Sequence, residues 1–262
     1  MKWIKRSYVS LILIIMYAPV ALLMIFSFND SKLPIWKGFT LDWYQRMFSD
    51  TAIKQAILYT LIVAAVSSLI ATVLGTFAAM GIHRMRGWQK RLAINITYIP
   101  MLSPDIVIGI SLMMLFNVLH IPFGLPSLII SHITFSVPYV IFAVMPKLKL
   151  MDYNLYEAAL DLGASPWYAF KKVILPEIMP GVLSGTFIAF TLSIDDFVVS
   201  FFNKGAGVDT LPIKIYSMAR KGVNPTINAI STLMFVTIII ILLISNLKAN
   251  HKVRKIKEAK MA

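Results

Sequence analysis

The chain has 262 residues, of which 58% are hydrophobic and only 14% charged, with a mean hydropathy of +0.76 and a net charge of +13. Soluble domains carry about 25% charged residues, so this balance places the chain in a bilayer, with room for one membrane domain and no sizeable soluble one. No cysteine is present, which excludes disulfides and thiolate metal centres. The four histidines, His83, His120, His132 and His251, show no ligand spacing and read as residues of helix ends or interfaces.

Apolar runs of the roughly 20 residues needed to cross a membrane lie near 8–28, 57–82, 92–119, 125–145, 178–202 and 227–247. They predict an all-α integral membrane protein of six transmembrane helices. The first run follows Lys2, Lys5 and Arg6 as a signal peptide would, but it is too long and lacks a small-x-small cleavage site, so it reads as an uncleaved span. The implied organisation is an N-terminal transmembrane helix over 1–30, an extracytoplasmic loop over 31–56, a transmembrane core over 57–247 and a basic cytosolic tail over 248–262.

Basic residues set the expected orientation. Lys2, Lys5, Arg6, Arg84, Arg86, Lys90, Arg91, Lys147, Lys149, Lys171, Lys172 and the basic tail after 247 fall on one side. Lys32, Lys37, Arg46, Lys54, Lys204, Lys214, Arg220 and Lys221 fall on the other. Lys/Arg excess marks the cytosolic side, so both termini and the loop after residue 150 are expected in the cytoplasm. The positive charge is then a topology signal; nucleic-acid binding would need a basic face on a folded domain.

Within the third run, Pro100 and Pro104 stand four apart in Tyr98-Ile99-Pro100-Met101-Leu102-Ser103-Pro104-Asp105. Two such prolines cannot both keep a regular ladder, so a kink is expected there, with Asp105 either lining a path or capping the segment beyond the kink. The fifth run ends in Thr191-Leu192-Ser193-Ile194-Asp195-Asp196-Phe197. On a helix starting near 178, Asp195 lies about 25 Å along, and adjacent side chains project about 100° apart. One carboxylate is then free to face a path while the other braces a neighbouring helix. Intramembrane carboxylates are costly and mark functional sites, so Asp105, Asp195 and Asp196 are the candidate substrate-pathway residues, with a solvated pair at the level of the headgroups as the alternative for Asp195 and Asp196. Glu177, beside Pro176, reads as solvated at the interface. Small residues such as Gly75, Gly181 and Gly185 read as helix-packing positions. Trp36, Trp43 and Tyr44 read first as interfacial anchors, with stacking on a delivered ligand as the alternative.

Between the fourth and fifth runs lies Glu157-Ala158-Ala159-Leu160-Asp161-Leu162-Gly163-Ala164-Ser165-Pro166. The spacing predicts a short helix stopped by Gly163 and a second one capped by Ser165 with Pro166 at its first position. Such a pair makes a stiff knob suited to docking. Glu-Ala-Ala, three residues, glycine, nine residues, an apolar residue, one residue, Leu-Pro resembles the EAA loop of binding-protein-dependent ABC importer permeases. Glu157, Ala158, Ala159, Gly163, Leu175 and Pro176 stand in register, with Val173 where isoleucine is usual.

Three further blocks resemble the spermidine/putrescine permeases of that family: 103–107, 191–197, and Leu211-Pro212-Ile213-Lys214-Ile215-Tyr216-Ser217-Met218. The resemblance implies a type I ABC importer permease (MetI-like) fold in a bacterial inner membrane, with its EAA loop over 154–176. It implies ATPase coupling through Glu157, Ala158, Ala159, Gly163, Ser165 and Pro166. The implied partners are a second homologous permease subunit, an ABC ATPase homodimer that binds ATP and Mg, an extracytoplasmic polyamine-binding protein and membrane lipid. No Gly-Lys dipeptide exists from which to build a P-loop, so the chain itself is expected to hold no cofactor and to hydrolyse nothing. Carboxylates and aromatic faces suit a linear polycation. An importer for iron, sulfate, thiamine or an opine, and a proton-coupled secondary transporter using the same aspartates, remain the alternatives.

Overall fold

The computed structural model describes residues 2–33, 35–152, 154–222 and 225–240. It is all helical there, apart from one isolated bridge between Asn29 and Phe39. The helices in chain order are α1 Lys2–Phe26, α2 Asp42–Ser49, α3 Thr51–Arg84, α4 Gly87–Leu102, α5 Asp105–Val118, α6 Leu125–Leu150 and α7 Asn154–Asp161. They are followed by α8 Pro166–Ala169, α9 Leu175–Asp195, α10 Val198–Asn203 and α11 Leu211–Arg220. A last apolar helix, α12, spans Thr226–Ile240. The basic tail and the end of the expected sixth span lie outside the described residues.

Among the described residues, four helical stretches are long and apolar enough to cross a membrane: Arg6–Phe26, Thr51–Arg84, Leu125–Leu150 and Pro166–Asp195. The bent pair α4 and α5 makes a fifth if counted as one span. The third apolar run is therefore more than kinked; its two halves meet at 105°. The cause is local. Proline disfavours helical geometry in the residue before it, and Ser103 is extended at φ −77°, ψ 141°, followed by Pro104 at ψ 139°.

The fifth run also differs from expectation at both ends. It begins earlier, because α8 runs through a wide turn at Phe170–Ile174, where the Leu175 N–H reaches back to the Phe170 carbonyl, straight into α9. That turn immediately precedes Pro176, whose missing N–H interrupts the ladder. The run also stops sooner: Asp196 is extended at φ −63°, ψ 123°, and α10 is a separate short helix.

The chain divides into two compact units, 1–55 with 214–262, and 56–213. In the first, the segment after α1 folds back so that Asp30 N–H meets Gly38 O and Thr40 N–H meets Phe28 O. Trp43 is buried, its Nε1 donates to Asn29 O at 2.9 Å, and the Arg46 guanidinium covers its ring. The Tyr44 hydroxyl pairs with Ser27 at 2.7 Å. Trp43 and Tyr44 are thus structural members of this turn.

In the second unit, α6 is the central element, with twelve buried residues from Ser127 to Leu148. Glycines bring its neighbours close. A Cβ on Gly181 would sit 2.8 Å from Ala143 O, one on Gly185 3.1 Å from Val140 Cα, and one on Gly75 2.7 Å from Val140 Cβ. In lipid, where helices gain little from apolar burial, such close backbone approach supplies the packing. Hydroxyl pairs add polar links between α3 and α9: Thr72 to Thr186 at 2.9 Å and Ser67 to Ser193 at 3.3 Å.

Candidate functional site

The two interruptions of the apolar runs meet. Asp105, at the first position of α5, and Asp195 and Asp196, at the break after α9, line one cavity of about 290 Å³. Phe135 and Tyr139 of α6, with Phe197, supply aromatic walls. The α5 and α10 helices are held together beside it: Asn203 Nδ2 donates to Gly109 O at 3.0 Å, and a Cβ on Gly109 would come 3.1 Å from the Phe202 ring. Ser127 Oγ, donating to Asn203 O at 2.8 Å, ties α10 to the start of α6.

The three carboxylates sit in different fields. Asp196 accepts from Val199 N–H at 3.2 Å and Ser200 N–H at 2.7 Å, and so caps the first turn of α10. Asp105 stands at a helix N-terminus, where negative charge is favoured. Asp195 ends α9, where the unpaired carbonyls already concentrate negative charge. Among the described residues, no lysine or arginine forms an ion pair with any of the three. Carboxylates gathered at such a spot attract a cation, and the surrounding rings offer their faces to one. Among the described residues no cluster of His, Cys, Asp and Glu is arranged to hold a metal ion.

Behind the cavity runs a buried polar chain. His132 on α6 is fully buried; its Nδ1 lies 2.6 Å from Ser193 Oγ and its Nε2 lies 2.9 Å from Ser200 Oγ and 3.5 Å from Asp196 Oδ2. Ser193 in turn pairs with Ser67 of α3. Sequence reasoning gave His132 only an interface position. The signal was present, since an ionisable side chain in the middle of an apolar run is a functional-site candidate by default, but its serine partners lie 61 and 68 residues away.

At the other end of α8–α9 is the elbow. Ala164 N–H bonds Ala159 O at 3.0 Å and Gly163 N–H bonds Leu160 O at 2.9 Å, a Schellman closure of α7 with Gly163 at φ 84°. Ser165 Oγ accepts from Tyr168 N–H at 3.3 Å, capping α8. The elbow rests on a core: Tyr156, Ala169, Ile174 and Ile178 pack with Ile82, Met145 and Leu148. Its outer face is open, with Glu157, Ala158, Gly163, Ser165 and Pro166 exposed and Ala159 half-buried. Leu162 at 89% and Trp167 at 65% exposure add apolar surface to the elbow. The expected pair of two short helices is corrected here. Only α7 is short; its successor is the first turn of a 30-residue helical stretch, Pro166–Asp195. At 1.5 Å per residue it spans about 45 Å, so the elbow and the carboxylates stand at opposite ends of one helical rod.

Residues 71–255 match the family described as binding-protein-dependent transport system inner membrane component. The chain belongs to that family. It is a multi-pass inner-membrane permease of the importer class, not the ATP-hydrolysing part. The permease is 39% identical over 252 residues, 96% of each chain, to the spermidine/putrescine transport system permease protein PotC of Escherichia coli strain K12. It is 40% identical over 229 residues, 84% of this chain and 81% of the other, to the putrescine transport system permease protein PotI of the same strain. Its fold matches a chain of a bacterial ABC transporter that imports alginate, with TM-score 0.69, 19% identity and coverage of 97% and 96%. It also matches a chain of the MetNI methionine ABC transporter, with TM-score 0.62, 21% identity and coverage of 75% and 94%. These identities support the type I importer permease fold and carry nothing about cargo.

Proposed function

We propose that this permease moves polyamines, spermidine or putrescine, into the cell, driven by ATP hydrolysis in a separate ATPase. The observation that carries this reading is the cavity in which Asp105, Asp195 and Asp196 converge among Phe135, Tyr139 and Phe197. A linear polycation presents protonated amines to carboxylates and methylene stems to aromatic walls, and it offsets the mutual repulsion of the three acids. Near full-length similarity to polyamine permeases supports the same cargo.

In this reading the chain crosses six times, with 1–30 as the first span, 31–56 outside, 57–247 as the core and 248–262 as a cytosolic tail. Both termini and the elbow face the cytoplasm, in keeping with the lysine and arginine distribution. A second, homologous permease completes the path, an ATPase homodimer holding ATP and Mg grips Glu157, Ala158, Ala159, Gly163, Ser165 and Pro166, and an extracytoplasmic binding protein delivers the polyamine. ATP-driven closure of the ATPases shifts each elbow, and the rod from Pro166 to Asp195 conveys that shift to the carboxylates. Nucleotide controls the path because the ATPases bind it with different affinity in their open and closed states.

The test is uptake of radiolabelled spermidine by vesicles containing the whole importer. Uptake that requires ATP and the ATPase, and that unlabelled putrescine or spermidine suppresses, is the expected result. Suppression by ferric iron, sulfate or thiamine with no effect of polyamine overturns the cargo assignment. Uptake that persists without the ATPase and collapses with an uncoupler overturns the importer mechanism in favour of proton coupling.

A further inference from the structure

The buried chain behind the cavity joins four helices in sequence: Ser67 on α3, Ser193 on α9, His132 on α6 and Ser200 on α10, ending at Asp196. Its direction follows from the partners. Asp196 accepts from the Val199 and Ser200 backbone N–H groups, and its Oδ2 lies 3.5 Å from His132 Nε2. With a carboxylate oxygen on that side of the ring, Nε2 is the nitrogen that carries the proton, and it donates to Ser200 Oγ at 2.9 Å. His132 Nδ1 is then the acceptor, so Ser193 donates to it and receives its own bond from Ser67. Every member is satisfied by the neutral imidazole with its proton on Nε2, a tautomer fixed by its partners.

Two features make this chain more than packing. Ser193 is two residues from Asp195, on the last turn of the rod whose first turn is the elbow. The imidazole belongs to α6, a different helix, which the rod must slide against if it moves. The Ser193–His132 separation is 2.6 Å; a displacement of about 1 Å along the line of the bond stretches it to about 3.6 Å, beyond hydrogen-bond range. Loss of that bond leaves Nδ1 unpaired in a dry interior, which favours a discrete change of partners over gradual stretching.

We propose that His132 is a positioning residue that couples the rod to the cargo carboxylates. With Ser193 in place it holds Ser200 and Asp196 so that the carboxylate faces the cavity; when α9 moves against α6, that support is withdrawn and the hold on the cationic cargo loosens. This inference rests on the cargo reading above, because it takes Asp196 as a contact of the polyamine.

The test uses the complete importer in nanodiscs and measures equilibrium binding of radiolabelled spermidine together with the ATP consumed per spermidine transported. His132→Leu is expected to weaken binding about tenfold and His132→Gln, which keeps a donor and an acceptor, by under about threefold. Ser193→Ala, which cuts the chain on the rod side and leaves Asp196 intact, is expected to raise the ATP consumed per spermidine about twofold or more. A purely structural role would lower the amount of assembled complex and leave both readouts of the surviving complex unchanged, and that result overturns the proposal. Should His132→Leu fail to assemble, His132→Gln and Ser193→Ala decide it by the same readouts. Asp196→Asn separates the two layers. If it binds spermidine as the unaltered importer does, the reading of Asp196 as a cargo contact fails. If it loses binding while the His132 and Ser193 variants match the unaltered importer, only the positioning role fails.

Discussion

The elbow at Gly163 and the break at Asp196 interrupt the helical path at the two ends of one rod, yet they are made in opposite ways. At the elbow, each stabilising bond is local: Ala164 to Ala159, Gly163 to Leu160, Tyr168 to Ser165. At the break, Asp196 bonds locally to Val199 and Ser200, but the arrangement is backed by His132, which stands 61 residues from Ser193. The elbow is a rigid shape that leaves its outer face free for a partner. The break is a charged site that depends on helices far apart in the chain. Under the function proposed above, a force-receiving part benefits from closure within itself, whereas a gated cargo site benefits from bonds that a helix shift can undo.

The cargo end has the largest expected effect. Replacing both Asp195 and Asp196 with asparagine removes two charge-assisted contacts at about 1.5 kcal/mol each, roughly a hundredfold in polyamine uptake, with the ATPase still bound. Uptake within threefold of the unaltered importer would remove the cavity from the mechanism. At the elbow, Glu157→Lys reverses an exposed charge. Co-purification of the ATPase and ATP-driven uptake are both expected to fall at least about tenfold, while spermidine binding to the permease pair persists. Loss of binding with docking intact would invert the division of labour drawn here.

Smaller changes sharpen the contrast. Gly163→Ala places a Cβ in left-handed backbone with nothing within 4 Å of it, so conformational strain is its whole effect. The cost of about 1 kcal/mol should appear as a lower thermal midpoint and looser ATPase binding, with cargo affinity unchanged. Ser165→Ala removes one cap bond at the start of α8. About 0.5–1 kcal/mol is expected, seen as earlier proteolysis at the elbow and a loss of uptake of less than about twofold. If either substitution altered cargo affinity as strongly as ATPase binding, the local character of the elbow would be wrong.

This contrast also governs how much was legible beforehand. Gly163, Ser165 and Pro166 announce the elbow because stop, cap and first-turn preferences act within a few residues. The Ser103-Pro104 interruption was foreseen for the same reason, though its 105° bend was not, because the angle depends on what each half packs against. The continuity of α8 with α9 was missed: Pro176 looks like punctuation, and only the wide turn at Phe170–Ile174 shows how the helix passes it. Trp43 was read as an anchor or a stacking platform, but its indole is used internally on Asn29.

Taken alone, the order of residues determined that the chain lives in a bilayer, where its basic flanks lie, where an elbow forms and which three acids stand in or beside apolar runs. Those conclusions rest on composition, charge and short-range backbone preference, none of which needs a partner segment. That Asp105 meets Asp195 and Asp196, that the fifth apolar run stops at Asp196, and that His132 stands behind it were decided by tertiary structure. Those facts depend on glycine-mediated contact among α3, α6 and α9 and on the α5–α10 clasp at Gly109 and Asn203. Bonds that reach across 60 or more residues leave no periodic trace along the chain.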